Sequence, residues 1–177
     1  MATDSDPRQT LLADALGQYR AEYTLLADRW KVLETKAQGT AAIAGIFVAG
    51  VFAITRDLDQ STPFYEVWLL VGVTLLLTTA ILFAVRALFI RNLVDPPTGS
   101  QLEQVAMDVV RIDDDEEFAK LLPAVYSEQF SAWREANETL RQAVVAKAVA
   151  VWRGQMAVAG AVLLMTMVCL VVVLTKS

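Results

Sequence analysis

The sequence contains no histidine, one cysteine and only five prolines in 177 residues. Without histidine the commonest general base, metal ligand and pH switch near neutrality are all missing. Cys169 is the lone cysteine, so no disulfide forms within the chain and zinc sites of the thiolate type are excluded. There is no glycine-rich phosphate loop, no serine nucleophile elbow and no pair of carboxylates within an apolar run. These absences predict a chain with no catalytic residue, no metal site and no cofactor, and no nucleic-acid partner is expected.

What is abundant is apolar surface. Hydrophobic residues make up 55% of the chain, and the mean hydropathy of +0.44 exceeds that of an ordinary soluble domain. Crossing a hydrocarbon core of about 30 Å takes about twenty residues with few charges. Three runs meet that need: Ala37 to Thr55, Val67 to Val85 and Met156 to Leu174. The residues before the first run, with Asp4, Asp6 and Arg8, have none of the character of a signal peptide, so the first span is expected to stay in the mature protein.

Lysines and arginines set the expected orientation. A cytoplasmic N-terminus collects Arg29, Lys31, Lys36, Arg86, Arg91, Arg141, Lys147 and Arg153 on one side and leaves Arg56 and Lys176 on the other. The net charge of −5 does not oppose this, because the rule counts cations and largely ignores carboxylates. The expected location is an inner or plasma membrane, with the N-terminus in the cytoplasm and the C-terminus outside.

The fold expected is an all-α membrane protein with three transmembrane helices and long cytoplasmic amphipathic helices running into the first and third spans. Its parts are a cytoplasmic amphipathic helix over 1–36, a transmembrane hairpin over 37–91, a cytoplasmic helical segment over 92–152 and a third transmembrane helix over 153–177. Asp6 and Pro7 suit an N-cap and first helical position. Leu12, Leu16, Tyr19, Tyr23, Leu26, Trp30, Leu33 and Ala37 then follow steps of three and four. Thr62 and Pro63 are placed to cap and open the second span. Ser100 and Glu103 predict a helix to about Arg111, and the acidic run Asp113 to Glu117 begins a short helix that Pro123 closes. Tyr126, Phe130, Trp133, Asn137, Leu140, Val144, Lys147 and Val151 repeat the three-four rhythm into the third span. Two helices entering the bilayer from one side run parallel, and their seams suit packing on each other or on further copies as a coiled-coil-like stalk.

Several features are candidates for function. Ala37, Ala41, Gly45, Ala49 and Ala53 recur every four residues, and in lipid such small residues let helices approach closely. The stripe packs against the other spans of its own chain or forms a seam between the subunits of a homo-oligomer. Arg86 either snorkels to the headgroups or marks an ion route, and Glu34, at similar depth, suits Arg86 or Arg91 as a partner. Thr74, Thr78 and Thr166 either bond their own helix carbonyls or line a pore. Asn137, in an apolar seam, fixes register or faces water. Tyr19, Tyr23, Trp30, Tyr126, Phe130 and Trp133 form either a core or a cage in which a base could stack.

The stretch RWKVLETKAQGTAAIAGIF, residues 29 to 47, resembles the start of bacterial Pycsar transmembrane effectors and, more loosely, the SLATT-type two-span effectors of nucleotide-signalled antiphage systems. Trp30, Glu34, Lys36 and Ala37 stand where those families place a tryptophan, an acid and a Lys-Ala pair at the mouth of the first span. The resemblance implies a membrane effector that responds to a cyclic nucleotide and depolarises the membrane. A non-conducting scaffold that recruits a partner through its cytoplasmic helices is the alternative.

Overall fold

The structure is a computed structural model and describes residues 7–56, 63–90, 96 and 115–176. Those residues form three helices: α1 over Pro7–Arg56, α2 over Phe64–Phe89 and α3 over Asp115–Lys176. Among the described residues there is no strand. The chain divides into two compact units, a first comprising Met1–Arg29 and Asn92–Ala143 and a second comprising Trp30–Arg91 and Val144–Ser177.

The second unit is a three-helix assembly with a seven-residue rhythm on every helix. On α2 the buried positions are Leu70, Val73, Leu77, Ala80, Ala84 and Ala87, alternating steps of three and four. That spacing keeps one side of a helix turned toward a neighbour over many turns. On α1 the buried residues are Ala37, Thr40, Ala44 and Val51, and on α3 they include Lys147, Val151, Gly154, Ala161 and Val168. Two apolar clusters result. Ala44, Val51, Leu70, Val73, Leu77, Ala80 and Ala161 make one, and Ala37, Ala87, Ala150 and Val151 make the other.

Close approaches fix the directions of α2 and α3. A Cβ added at Gly154 would lie 3.3 Å from the carbonyl oxygen of Ala80, and one at Gly72 would lie 3.2 Å from Cδ2 of Leu164. Numbers fall along α2 as they rise along α3, so the two helices are antiparallel. The pairing of Ala37 with Ala150 and Val151 in one cluster, and of Ala44 with Ala161 in the other, makes α1 and α3 parallel here.

Large apolar side chains also cover the outward faces of the spans. Ile46, Phe52, Leu75, Leu82, Leu163, Met167 and Leu170 are all exposed. The three helices are long and apolar enough to cross a membrane, and at most 28% of each most apolar stretch is buried inside the protein. The remainder would expose far more apolar surface to water than monomeric soluble proteins tolerate, so lipid is the solvent that fits it. From Ala37 to Arg56 a helix rises about 28 Å, close to a hydrocarbon thickness of about 30 Å.

In the first unit α1 and α3 also run parallel, with ring contacts as the fixed points. Tyr19 meets Phe130 and Tyr23 meets Trp133, each edge to face with centroids 5.8 Å apart. Leu16, Leu26, Trp133, Ala136 and Leu140 are buried.

Two boundaries differ from the sequence expectation. Pro123 does not close a short helix, because α3 starts at Asp115 and runs through it to Lys176. Proline removes one bond, to the Ala119 carbonyl, at a cost of about 3 kcal/mol. That loss falls near the start of a 62-residue helix whose later turns are held by packing around Trp133, Ala136 and Leu140. Pro63 caps α2 from outside, its carbonyl accepting from the Glu66 N–H at 3.0 Å, so the helix begins at Phe64. Asp6, Thr62, the Pro-Gly linker apart from Pro96, and the helix expected from Ser100 to Arg111 lie outside the described residues.

The Gly154 contact yields a direct test. Gly154→Leu forces α3 off the α2 backbone and is expected to destabilise the protein by about 1–3 kcal/mol, read as a lowered thermal midpoint in detergent. At Gly45 an added Cβ would meet nothing within 4 Å, so Gly45→Leu is expected to leave that midpoint unchanged under monomeric conditions.

Candidate functional site

The most constrained chemistry in the second unit is a group of three side chains on α1 and α3. Trp30 and Glu34 are four residues apart on α1 and therefore share a face. The indole Nε1 of Trp30 donates to Oε1 of Glu34 at 2.9 Å. From α3, the Lys147 ammonium donates to the same oxygen at 2.9 Å. The Nζ of Lys147 also lies 3.4 Å from the centroid of the Trp30 ring.

Burial makes this arrangement costly to disturb. Lys147 has no exposed surface, whereas the Glu34 side chain is 39% exposed. A buried ammonium without a counter-charge is strongly disfavoured, and here a carboxylate and an aromatic face both supply compensation. The cluster of Ala37, Ala87, Ala150 and Val151 begins within one turn of the group on both helices. The ion pair thus stands immediately beside the apolar packing of the three helices.

Glu34 accordingly pairs with Lys147 rather than with Arg86, which is exposed and has no partner among the described residues; Arg91 lies outside them. Lys147 already occupied a seam position in the sequence rhythm, and a cation at such a position is the signal that it points inward. Its partner could not be read, because that depends on the register between segments 113 residues apart.

The small-residue stripe on α1 is divided. Ala37 is fully buried and Ala41 partly so, but Gly45, Ala49 and Ala53 are exposed. The reason is geometric. A step of four residues turns about 400°, so a strict four-residue stripe drifts about 40° per step and has moved to the far side after four steps. Intrachain contact is made instead by Thr40, Ala44 and Val51, and by Gly154, which the sequence pattern did not single out. Lys36 is exposed.

The hydroxyls of Thr74, Thr78 and Thr166 donate to carbonyls of their own helices, those of Leu70, Thr74 and Val162, at 2.8 to 2.9 Å. Thr79 does the same with Leu75.

The other aromatics belong to the first unit and are brought together there without Trp30. Tyr126 and Phe130 are 6.4 Å apart, and the Arg20 guanidinium lies 5.8 Å from the Trp133 ring. Asn137 is buried and donates from Nδ2 to the Tyr19 carbonyl at 3.0 Å, which ties α1 to α3 within this unit. Its Oδ1 and the Nε1 of Trp133 are buried without a hydrogen-bond partner among the described residues. An open groove of about 690 Å³ runs beside these residues, lined by Tyr19, Ser127, Phe130, Arg134 and Glu138 among others. A hollow of about 220 Å³ shares Tyr19, Arg134 and Glu138 and adds Asn137.

No protein-family model matches the chain, and no curated protein and no solved structure matches it either. Among the described residues no group of histidine, cysteine and carboxylate side chains is placed to hold a metal ion.

The asymmetry of the ion pair predicts an asymmetric mutational response. Glu34→Gln strands the fully buried Lys147 charge and is expected to cost about 3 kcal/mol or more. Lys147→Met leaves a carboxylate that already reaches the surface and is expected to cost less. Combining the two substitutions should cost less than the sum of the single effects, as thermal unfolding in detergent would measure.

Proposed function

We propose that this protein is a non-enzymatic membrane effector whose copies associate through α1 and make a bacterial inner membrane permeable, in antiphage defence signalled by a cyclic nucleotide. In this reading the N-terminus is cytoplasmic and the C-terminus lies outside. The observation that carries it is the exposed part of the small-residue stripe. Gly45, Ala49 and Ala53 face away from the rest of their own chain, and a Cβ at Gly45 would meet nothing within 4 Å. Small residues are of use to a membrane helix chiefly where another helix comes close. A second copy of α1 is the partner that needs no further component.

Signal input is assigned to the first unit. Its groove presents the Tyr19 and Phe130 rings beside Arg134, a surface on which a planar base can stack and a phosphate can find a cation. The resemblance of Trp30, Glu34, Lys36 and Ala37 to the Pycsar and SLATT-type effectors supports the same reading.

Expression together with the cognate signal is expected to depolarise cells. Gly45→Leu and Ala49→Leu, which add bulk only on the outward face, should abolish depolarisation at unchanged membrane abundance and unchanged detergent-phase melting. Full depolarisation by both variants would exclude this seam. A wild-type protein that leaves the membrane potential intact and co-purifies with a soluble protein would instead favour the scaffold reading.

A further inference from the structure

The chain's charge is divided between its units in opposite senses. The first unit holds sixteen of the twenty carboxylates and seven of the fifteen cations, a net of −9, and the second holds four carboxylates and eight cations, a net of +4. The acidic balance of the whole chain therefore conceals a cationic membrane unit.

Within that unit, three of the cations gather at one level. The packing of Ala37, Ala87, Ala150 and Val151 in one cluster places those positions of α1, α2 and α3 side by side. Lys36 immediately precedes Ala37, Arg86 precedes Ala87, and Trp152 and Arg153 follow Val151. All four are exposed, Trp152 to 61%. Lys36 and Arg86 have no ion-pair partner among the described residues. Arg153 rests 5.9 Å from the Phe83 ring and has no ion-pair partner among the described residues. The nearby carboxylate, Glu34, is engaged by Lys147.

We propose that Lys36, Arg86 and Arg153, flanked by the Trp152 indole, form a collar that binds the phosphate headgroups of anionic phospholipid. The collar lies where the apolar band of the three helices ends, which is the depth of headgroups. Arginine can hold a phosphate through two parallel hydrogen bonds, and an indole suits the same interfacial layer. Each cation adds attraction to an anionic leaflet, and three on one ring select it over a zwitterionic one. The proposal rests on membrane insertion alone and is independent of whether the membrane becomes leaky.

The test uses the full chain in nanodiscs of equal parts phosphatidylglycerol and phosphatidylcholine, with lipid retained after detergent release counted by native mass spectrometry. Wild type should retain phosphatidylglycerol over phosphatidylcholine by about fivefold or more. The neutral set Lys36→Gln, Arg86→Gln and Arg153→Gln should fall to the bulk ratio, while the charge-keeping pair Arg86→Lys and Arg153→Lys should keep most of the preference. Equal retention by wild type and the neutral set overturns the proposal. If the neutral set loses helicity, the wild type decides: preference that fades between about 50 and 500 mM salt supports the collar, and preference indifferent to salt overturns it. Free inorganic phosphate should not displace the lipid, and displacement by it would overturn the assignment to a lipid headgroup.

Discussion

An ammonium with no exposed surface must find its counter-charge inside the protein, and Lys147 finds it in Glu34, backed by the face of Trp30. Much of the second unit's order follows from this requirement. A carboxylate on α1 and a cation on α3 meet only if the two helices are parallel and held in one register, and that register also brings Ala37 to Ala150 and Val151. Apolar packing alone specifies register weakly, because one heptad of alanine and valine resembles the next. An ion pair beside such a seam penalises every alternative in which one charge is left alone.

The small residues divide between two roles that the sequence does not distinguish by composition. On α2, Ala80, Ala84 and Ala87 keep the three-four alternation and stay inward, and Gly154 lets the α3 backbone approach the Ala80 carbonyl. On α1, the four-residue stride carries the stripe from the inward Ala37 to the outward Ala53. Stride, rather than size, decides which surface a small residue serves.

Much of the architecture was legible in the sequence. The seam read along the last helix, from Trp133 through Asn137, Leu140, Val144 and Lys147 to Val151, is buried at every one of those positions. Periodicity reports a face of one helix, and that is why it succeeded here. It does not report which residue of a distant helix meets that face, so depth alone offers Glu34 an arginine, whereas the register between α1 and α3 gives it Lys147. Nor does a local rule such as the helix-ending tendency of proline weigh the packing downstream, which carries α3 through Pro123. The pairing of Asn137 with the Tyr19 carbonyl is of the same kind as the ion pair, a long-range contact that needs the fold before it can be seen.

The hydroxyls of the apolar spans have a further consequence. Thr74, Thr78, Thr79 and Thr166 each spend their single donor on a carbonyl one turn back in their own helix. Among the described residues, a lone copy therefore offers no file of free hydroxyl donors along which an anion could exchange its water shell. Any wet passage through these spans would have to be lined by surfaces that come together only when several chains, or chain and lipid, enclose it jointly.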